Sequence, residues 1–109
     1  MECIFCKIKN GEIKSDIVYQ DDKVFVIKDI NPKAPIHYLI IPKEHTPTLN
    51  DLENEDTMAL FFKTAKFLAK KEKVADDGYR LILNCNEKGG QSVFHIHMHF
   101  LAGAQMHGF

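Results

Sequence analysis

The stretch His95-Ile96-His97-Met98-His99-Phe100 carries most of the information about the fold and the chemistry of this chain. Histidine occupies every second position, and apolar residues, beginning with Phe94, occupy the positions between. Because a β-strand points successive side chains to opposite faces, the alternation predicts a strand with three imidazoles on one face and an apolar opposite face. Alternate side chains of a strand lie about 6.5–7 Å apart, so we expect the three rings to stand in a row.

A polar, glycine-rich segment, residues 84–92, lies directly upstream of the histidines. Its composition predicts a loop whose backbone N–H groups are free to meet an anion. Three interpretations of the row follow: an imidazole that attacks phosphorus, three imidazoles that bind zinc, or histidines that merely line a polar face. Three histidines beside this loop disfavour the last interpretation, and their spacing leaves the first two open.

Longer motifs make the comparison with known families specific. The sequence from Gly90 to His99 resembles the signature of the histidine triad (HIT) superfamily, in its Hint branch. Further matches, in the same order along nearly the whole chain, are Cys3-Ile4-Phe5-Cys6-Lys7-Ile8, Asp29-Ile30-Asn31-Pro32-Lys33-Ala34-Pro35, His37, Ile41-Pro42-Lys43-Glu44-His45 and Gln105-Met106-His107. The resemblance implies a single HIT domain over residues 1–109. Its α+β fold would have a five-stranded antiparallel sheet with one short and one long helix, pairing into a homodimer with a continuous sheet.

Length and composition set the outer bounds. The 109 residues suffice for one domain with a modest core. A net charge of −1 gives no basic field for a long nucleic acid, and no apolar run is long enough to span a bilayer. The 3 cysteines do not make a disulfide framework, and the first residues lack the features of a secretory signal. We therefore expect a cytoplasmic protein with neither polymeric nucleic acid nor membrane as a partner.

Local patterns give the order of the elements. Short apolar runs predict strands over residues 17–19, 24–27, 37–41, 79–83 and 94–101. A short helix is expected over residues 3–9 and a long one over residues 55–73, capped by Asn54. The predicted buried stripe of the long helix consists of Met58, Phe61, Phe62, Ala65, Leu68 and Ala69. Strands joined by short loops indicate an antiparallel sheet.

The resemblance assigns catalytic roles to four residues. His97 matches the family's catalytic middle histidine, which implies that it attacks the α-phosphate of a nucleotide and forms a nucleotidyl-histidine. Attack requires an unprotonated ring nitrogen, so the other nitrogen must keep its proton, typically by donating it to a carbonyl. His99 and His37 would flank the phosphate and donate to its oxygens. Ser92 would lie near the leaving group.

Positional matches likewise imply the nucleotide-binding residues. Asp29 and Ile30 match the pair that contacts the ribose in the family, and a carboxylate suits a 2′,3′-diol because it accepts from both hydroxyls. The phosphate-binding loop would contribute Asn84, Gly90, Gln91 and Ser92, and His99 would contact the same phosphate. The apolar slot for the base would consist of Ile4, Phe5, Ile8 and Ile27. These residues single out neither adenine nor guanine.

Cys3 and Cys6 form a lone Cys-x-x-Cys, which by itself indicates a metal site, a redox motif or two small apolar residues on a short helix. His45 and His95 are not needed for catalysis if His97, His99 and His37 form the catalytic set. Many bacterial-type members of the family close such a Cys2His2 site. The resemblance therefore implies a structural zinc ion held by Cys3, Cys6, His45 and His95, with no cofactor required for catalysis.

Together these features favour a purine nucleoside phosphoramidate hydrolase that releases a nucleoside 5′-monophosphate and an amine. The alternatives are a dinucleoside polyphosphate hydrolase, a nucleotide-binding regulatory module with little turnover, and a metal-dependent hydrolase that uses the triad as ligands. Lys88 is the only basic residue between Asn84 and Phe109, which argues against a long polyphosphate substrate. The chain departs from many Hint members after Gln-Met-His, where it continues as Gly108-Phe109 without Trp, so leaving-group specificity stays open.

Overall fold

The elements follow the predicted order, with boundaries that shift by a few residues. The computed structural model describes residues 3–108. Its helices are α1 (Ile4–Lys9) and α2 (Glu55–Lys71), and its strands are β1 (Ile17–Gln20), β2 (Val24–Lys28), β3 (Ile36–Pro42), β4 (Tyr79–Ile82) and β5 (Met98–Ala102). Short 3-10 turns occupy Leu49–Asp51 and Glu87–Gly89. None of the helices in the described part of the chain is long and apolar enough to cross a membrane.

The five strands form one antiparallel sheet in the order β1-β2-β3-β5-β4. The predicted α+β class, with a five-stranded antiparallel sheet, one short helix and one long helix, is therefore confirmed. The central strand β3 pairs with β2 on one side and with β5 on the other, and Leu39 lies opposite His99 in that second pairing. This register brings the histidines of β3 and β5 to the same part of the sheet.

One face of the sheet packs against α2 and forms the larger core. Asn54 caps α2 as predicted, because its side-chain oxygen accepts from the N–H groups of Asp56 and Thr57. Of the predicted stripe, the buried members are Phe61, Ala65, Leu68 and Ala69. The burial predicted for Met58 and Phe62 is wrong, since both side chains are exposed at the edge of the helix face that the sheet covers.

The opposite face of the sheet carries α1 and, beside it, the candidate active site. Phe5 and Ile8 of α1 are buried against a smaller cluster contributed by alternate residues of β2 and β3. Cys3 caps the helix, with its Sγ 3.4 Å from the backbone nitrogen of Cys6. Because strand residues alternate between faces, the sheet separates the large core from the chemistry while using the same strands for both.

Two predicted boundaries are wrong by more than one residue, for reasons that the backbone shows. Strand β5 begins at Met98 rather than Phe94, because the preceding backbone leaves the ladder: the Ile96 N–H donates to the Thr46 carbonyl 2.7 Å away. Phe94, expected on the apolar face, is exposed. Helix α2 ends at Lys71 rather than Lys73, because Lys73 has a φ of 60°, in the left-handed region that a helix cannot continue through.

Candidate active site

A cavity of about 900 Å³ opens on the α1 face of the sheet, between α1, the loop after β2 and the ends of β4 and β5. Most of the residues predicted for catalysis and substrate binding line it. They are Ile4, Phe5, Ile8, Ile27, Asp29, Ile30, His37, Asn84, Gly90, Ser92, His97 and His99. Of the set predicted for the nucleotide, Gln91 is the member that does not line this cavity. The dispersed motifs of the sequence thus converge on one concave surface.

The three histidines of the central stretch do not form a single row. His97 and His99 face the cavity with ring centroids 5.3 Å apart, and His37 lies beside His99 with a centroid distance of 5.1 Å. His95 turns away from this group and packs beside Cys3, Cys6 and His45. The alternation therefore supplies two histidines to the cavity and one to a separate cluster.

His37 and His99 are joined by a hydrogen bond whose direction follows from a backbone donor. The Lys33 N–H donates to Nδ1 of His37 at 3.0 Å, so in the neutral ring the proton resides on Nε2. That Nε2–H donates to Nδ1 of His99 at 2.9 Å. Because Nδ1 of His99 accepts this bond, the neutral His99 ring carries its proton on Nε2. Asp29 lies 3.4 Å from Nε2 of His37, and its other oxygen accepts from the Asn31 N–H.

His97 is held in one tautomer by the backbone. Its Nδ1 lies 2.8 Å from the carbonyl oxygen of His95, and because a carbonyl only accepts, Nδ1 must carry the proton. The unprotonated nitrogen of the neutral ring is then Nε2. The edge of the buried Phe5 ring packs on the imidazole at a centroid distance of 5.0 Å and an angle of 78°. His97 therefore has the hydrogen-bond arrangement expected of a nucleophilic imidazole.

Burial keeps these imidazoles neutral. Desolvation lowers the pKa of His97, although the bond to the His95 carbonyl and the nearby Asp29 act in the opposite direction. Desolvation, together with the neighbouring His97 and His37, lowers the pKa of His99 to about 4. Desolvation also lowers the pKa of His37. At neutral pH the site thus presents uncharged rings that are able both to donate and to attack.

Gln91 organises the loop beside the cavity. Its buried side chain donates from Nε2 to the carbonyls of Pro47 and Val93, at 2.8 and 3.0 Å, and its Oε1 accepts from the Asn86 N–H at 2.8 Å. All three partners are backbone groups, so the side chain ties the loop to the segment after β3. The structure thus assigns its side chain to loop support, while the neighbouring Gly90 and Ser92 line the cavity.

Basic side chains missed by the sequence analysis line the same cavity. They are Lys14, Lys28, Lys33 and Arg80. The argument against a polyphosphate substrate, which counted Lys88 as the only basic residue between Asn84 and Phe109, therefore fails, because it considered neighbours in sequence and the fold brings in cations from four other segments. For Arg80 the sequence did hold a signal, since Tyr79 and Leu81 pack on the α2 side and strand alternation sends Arg80 to the other face.

The C-terminal segment forms another wall that was not predicted as a binding surface. Gln105, Met106 and His107 line the cavity, and a guanidinium nitrogen of Arg80 donates to the His107 carbonyl at 3.0 Å. The resemblance in Gln-Met-His pointed to this segment without giving it a position. It lies at the β4 end of the cavity, opposite the apolar residues of α1.

Cys3, Cys6, His45 and His95 form a second cluster of donor atoms, all within 4.8 Å of one another. The distances from the Nδ1 atoms to sulfur are 3.4 Å for Cys3–His95, 3.5 Å for Cys6–His45 and 3.6 Å for Cys6–His95. The two Nδ1 atoms lie 3.2 Å apart. A tetrahedral zinc ion with ordinary bond lengths requires about 3.6 Å between N and S and about 3.3 Å between two N atoms, so the set fits zinc.

The protonation state of the cluster also fits a cation. Nε2 of His95 lies 2.7 Å from the Pro42 carbonyl and must carry the proton, which leaves Nδ1 as a lone pair directed at the sulfurs. Burial raises the pKa of the Cys6 thiol, and the adjacent Cys3 raises it further. A metal ion would stabilise the two thiolates that this crowding otherwise disfavours.

Asp29, His37 and His99 also lie within reach of a common ion, but their hydrogen bonds argue against one. Nδ1 of His37 is taken by the Lys33 N–H, so its Nε2 carries a proton and cannot ligate. The short contact between His37 and His99 is then a donated hydrogen bond. This arrangement disfavours the alternative in which the triad binds a catalytic metal.

Comparison with known proteins gives a consistent result. The HIT domain family model matches residues 10–106. A purine nucleoside phosphoramidase of Escherichia coli (strain K12) is 53% identical over 104 residues, covering 94% of this chain and 87% of that protein. A 14 kDa zinc-binding protein of Brassica juncea is 41% identical over 109 residues, covering 96% of each. The crystal structure of a histidine triad protein from Clostridium difficile superposes with a TM-score of 0.95 at 42% identity, covering 100% of this chain and 96% of that one. The chain therefore belongs to the HIT family, in the Hint-like branch that its motifs indicated.

Proposed function

We propose that the protein hydrolyses purine nucleoside phosphoramidates to a nucleoside 5′-monophosphate and an amine. The observation that carries the proposal is His97, buried at the cavity with its Nδ1 proton fixed on the His95 carbonyl and its Nε2 left to attack. The relative in Escherichia coli that bears the name purine nucleoside phosphoramidase supports the same substrate class. Membership of the HIT family supports the coarser statement that the protein is a nucleotide hydrolase.

The reaction proceeds in two displacements. In the first, Nε2 of His97 forms a bond to the α-phosphorus, the P–N bond breaks, and the amine leaves with a proton relayed through Ser92 or an adjacent imidazole. In the second, water attacks phosphorus and returns a proton to the same relay, the bond between phosphorus and Nε2 of His97 breaks, and the nucleoside monophosphate is released. His99 donates from its Nε2–H to the phosphate oxygens, where negative charge develops, and His37 orients His99 through the bond from its own Nε2–H to Nδ1 of His99.

The nucleotide spans the cavity from α1 toward β4. The base occupies the slot between Ile4, Phe5, Ile8 and Ile27. The side chains of this slot are apolar, so they offer no hydrogen bond that would distinguish adenine from guanine. Asp29 accepts from the ribose hydroxyls beside Ile30, whose side chain is 87% exposed and free to cover the sugar. Asn84 and the backbone of residues 90–92 would bind the phosphate, and we expect the leaving group near Arg80 and the C-terminal segment, which line the same cavity.

Zinc is the ion we propose for the Cys2His2 cluster, in a structural role. Cys3, Cys6, His45 and His95 would hold it, and no step of the hydrolysis passes through it. The name of the Brassica juncea relative supports zinc in the family. Because the cluster ties α1 to the sheet, we expect metal removal to lower the melting temperature of the protein.

We further propose that the protein is a cytoplasmic homodimer with a continuous sheet. Strand β4 lies at the end of the sheet order, and within residues 3–108 its outer edge pairs with no other strand. Met58 and Phe62 are exposed on helix α2 and offer apolar area that a second copy would cover. Sedimentation equilibrium tests this proposal, and a monomer at micromolar concentration would contradict it.

One observation favours a second candidate, a dinucleoside polyphosphate hydrolase. The four basic residues that line the cavity provide positive charge that would compensate a longer phosphate chain. Their position beside the cavity was not predicted from the sequence. The deciding measurement is kcat/KM for adenosine 5′-phosphoramidate against diadenosine tri- and tetraphosphate in one buffer. A higher value for the phosphoramidate supports the proposal, whereas equal or higher values for the dinucleotides assign the protein to the second class. If none of these three substrates is turned over, the remaining interpretation is a nucleotide-binding module.

The role of His97 is tested with His97→Ala. Turnover should fall by several orders of magnitude while calorimetric binding of adenosine 5′-monophosphate persists, because the covalent step is lost and the binding residues remain. Rapid acid quenching of the wild-type reaction, followed by peptide mapping, should place the nucleotidyl group on His97. An adduct on any other residue contradicts the assignment.

A further inference from the structure

His95 connects the Cys2His2 cluster to the proposed nucleophile. Its side chain belongs to the cluster, 3.4 Å from the sulfur of Cys3, whereas its backbone carbonyl accepts the Nδ1 proton of His97 at 2.8 Å. The position of that carbonyl decides which nitrogen of His97 is protonated, since a free imidazole can carry its proton on either. One residue therefore couples the geometry of the cluster to the reactive atom.

The backbone around His95 has few other supports. Residues 93–97 lie outside the sheet ladder, because β5 begins only at Met98. Apart from the cluster, His95 and Ile96 are held by bonds to the end of β3 and to the segment that follows it: Nε2 of His95 donates to the carbonyl of Pro42, the last residue of β3, and the Ile96 N–H donates to the Thr46 carbonyl. His45, the remaining histidine of the cluster, belongs to that same segment.

Helix α1 provides a second link between cluster and nucleophile. Cys3 and Cys6 flank Phe5 along the chain, and the Phe5 ring contacts both His95, at 5.9 Å, and His97, at 5.0 Å. A six-residue helix has little stability of its own, so its position depends on what anchors it. Cys3 and Cys6 anchor it through the cluster, in addition to the buried Phe5 and Ile8, and Phe5 transmits the position of the cysteines to the imidazole of His97 and to the proposed base slot.

We infer that the Cys2His2 cluster is a positioning device for the nucleophile, in addition to its part in stability. Cys3, Cys6 and His45 act as positioning residues through the His95 carbonyl and through Phe5. With the cluster closed, His97 keeps the Nδ1–H tautomer and Nε2 is directed at phosphorus. With the cluster open, the tautomers mix and α1 loosens, so both the chemical step and nucleotide binding weaken. The inference rests on the proposed function for its kinetic consequences, but its structural consequence is independent of it.

The test compares the metal-loaded wild type with two variants. Cys6→Ser removes one ligand, whereas His45→Cys keeps four ligands, as a set of three cysteines and one histidine that zinc also accepts. Cys85→Ser is the matched control, because Cys85 is half-buried outside the cluster. Each protein is assayed at 25 °C, below its measured melting temperature. The readouts are zinc content, kcat and KM for adenosine 5′-phosphoramidate, and the ¹⁵N resonances of the histidine rings, which distinguish the two tautomers of His97.

We expect Cys6→Ser to lose zinc, to lower kcat about 10- to 100-fold, the range typical of residues that orient a ligand shell, and to show mixed tautomers at His97. His45→Cys should restore zinc and most of kcat, and Cys85→Ser should match the wild type. A folded, zinc-free Cys6→Ser with kcat within twofold of the wild type and an unchanged His97 resonance pattern would overturn the inference.

Two outcomes of this test call for a further measurement. If Cys6→Ser does not fold at 25 °C, His45→Ala takes its place, since three ligands still tie α1 to His95 while the segment after β3 is released. Its kcat should fall at least threefold with altered His97 resonances, and unchanged values would overturn the inference. If the wild type shows no turnover, the proposed function fails, whereas the ¹⁵N pattern still decides whether the cluster fixes the tautomer.

Discussion

Replacing Gln91 with alanine tests the assignment of its side chain to loop support. The side chain makes three hydrogen bonds of 2.8–3.0 Å to backbone groups of Asn86, Pro47 and Val93, and it is 5% exposed. Alanine removes all three bonds and leaves one N–H and two carbonyls without that partner. A residue whose main task is to contact substrate would instead cost little stability when truncated.

The expected loss can be worked out from these contacts. A neutral hydrogen bond contributes about 0.5–1.5 kcal/mol net, so three bonds amount to about 3 kcal/mol, with a further cost if water cannot reach the exposed backbone groups. A domain of this size has a total stability of about 5–15 kcal/mol, so the change is a large fraction of it. Because Gly90 and Ser92 flank the side chain, kcat/KM should fall as well.

The assay is urea unfolding of the zinc-loaded protein at 25 °C. Gln105→Ala is the matched control, because that exposed side chain donates to the carbonyl of its neighbour Met106, and its loss should cost less than about 0.5 kcal/mol. Gln91→Glu keeps the volume but turns a carboxylate oxygen toward the two carbonyls, so it should cost at least as much as alanine. A loss below about 1 kcal/mol for Gln91→Ala, or a wild-type stability for Gln91→Glu, would contradict the loop-support role of this side chain.

Three other predictions address the core, the imidazoles and the ribose. Leu68→Ala empties a fully buried position on α2 and should cost about 2–5 kcal/mol in urea unfolding, with kcat of the folded protein within twofold of wild type. The pKa of His99 is lowered from 6.5 to about 4, so the unfolded chain takes up the proton first and stability should fall as pH drops from about 6.5 to 4. Urea titrations between these pH values should show a smaller slope for His99→Gln, and an equal slope would contradict the assignment. Asp29→Asn should raise KM about tenfold for the ribonucleotide, because the lost contact is to the ribose diol, and should change KM little for the 2′,3′-dideoxy analogue. Equal increases in KM for both substrates would exclude that contact.

The elements were predictable from the sequence where local pattern alone decides them. Alternation in the His95–Phe100 stretch correctly separated Ile96, Met98 and Phe100, which are buried on the α2 side, from the histidines. The capping residue Asn54 and the helical spacing of Phe61, Ala65 and Leu68 located α2. These signals succeed because they depend on neighbours within one or two turns of chain.

Features that depend on distant partners were not predictable in this way. Strand β5 starts late because Thr46, fifty residues earlier, offers a carbonyl to Ile96, and no local pattern records that bond. The position of Lys14 beside the cavity depends on how the loop after α1 packs, and strand alternation gave the sheet face of Arg80 without showing which residues share that face. The grouping of Cys3, Cys6, His45 and His95 came from the family resemblance, since spacing gave only the two cysteines.

The two-faced sheet has a consequence for engineering. On β3, Tyr38 and Ile40 pack toward α2, whereas His37 and Leu39 point to the cavity side. Randomising Leu39 together with Ile27 would therefore change the proposed base slot and the smaller cluster under α1, to which both residues belong, while the α2 core stays intact. A library confined to alternate strand positions should yield a larger fraction of folded members than one of equal size spread over both faces, which makes this fold a practical starting point for altering nucleobase selectivity.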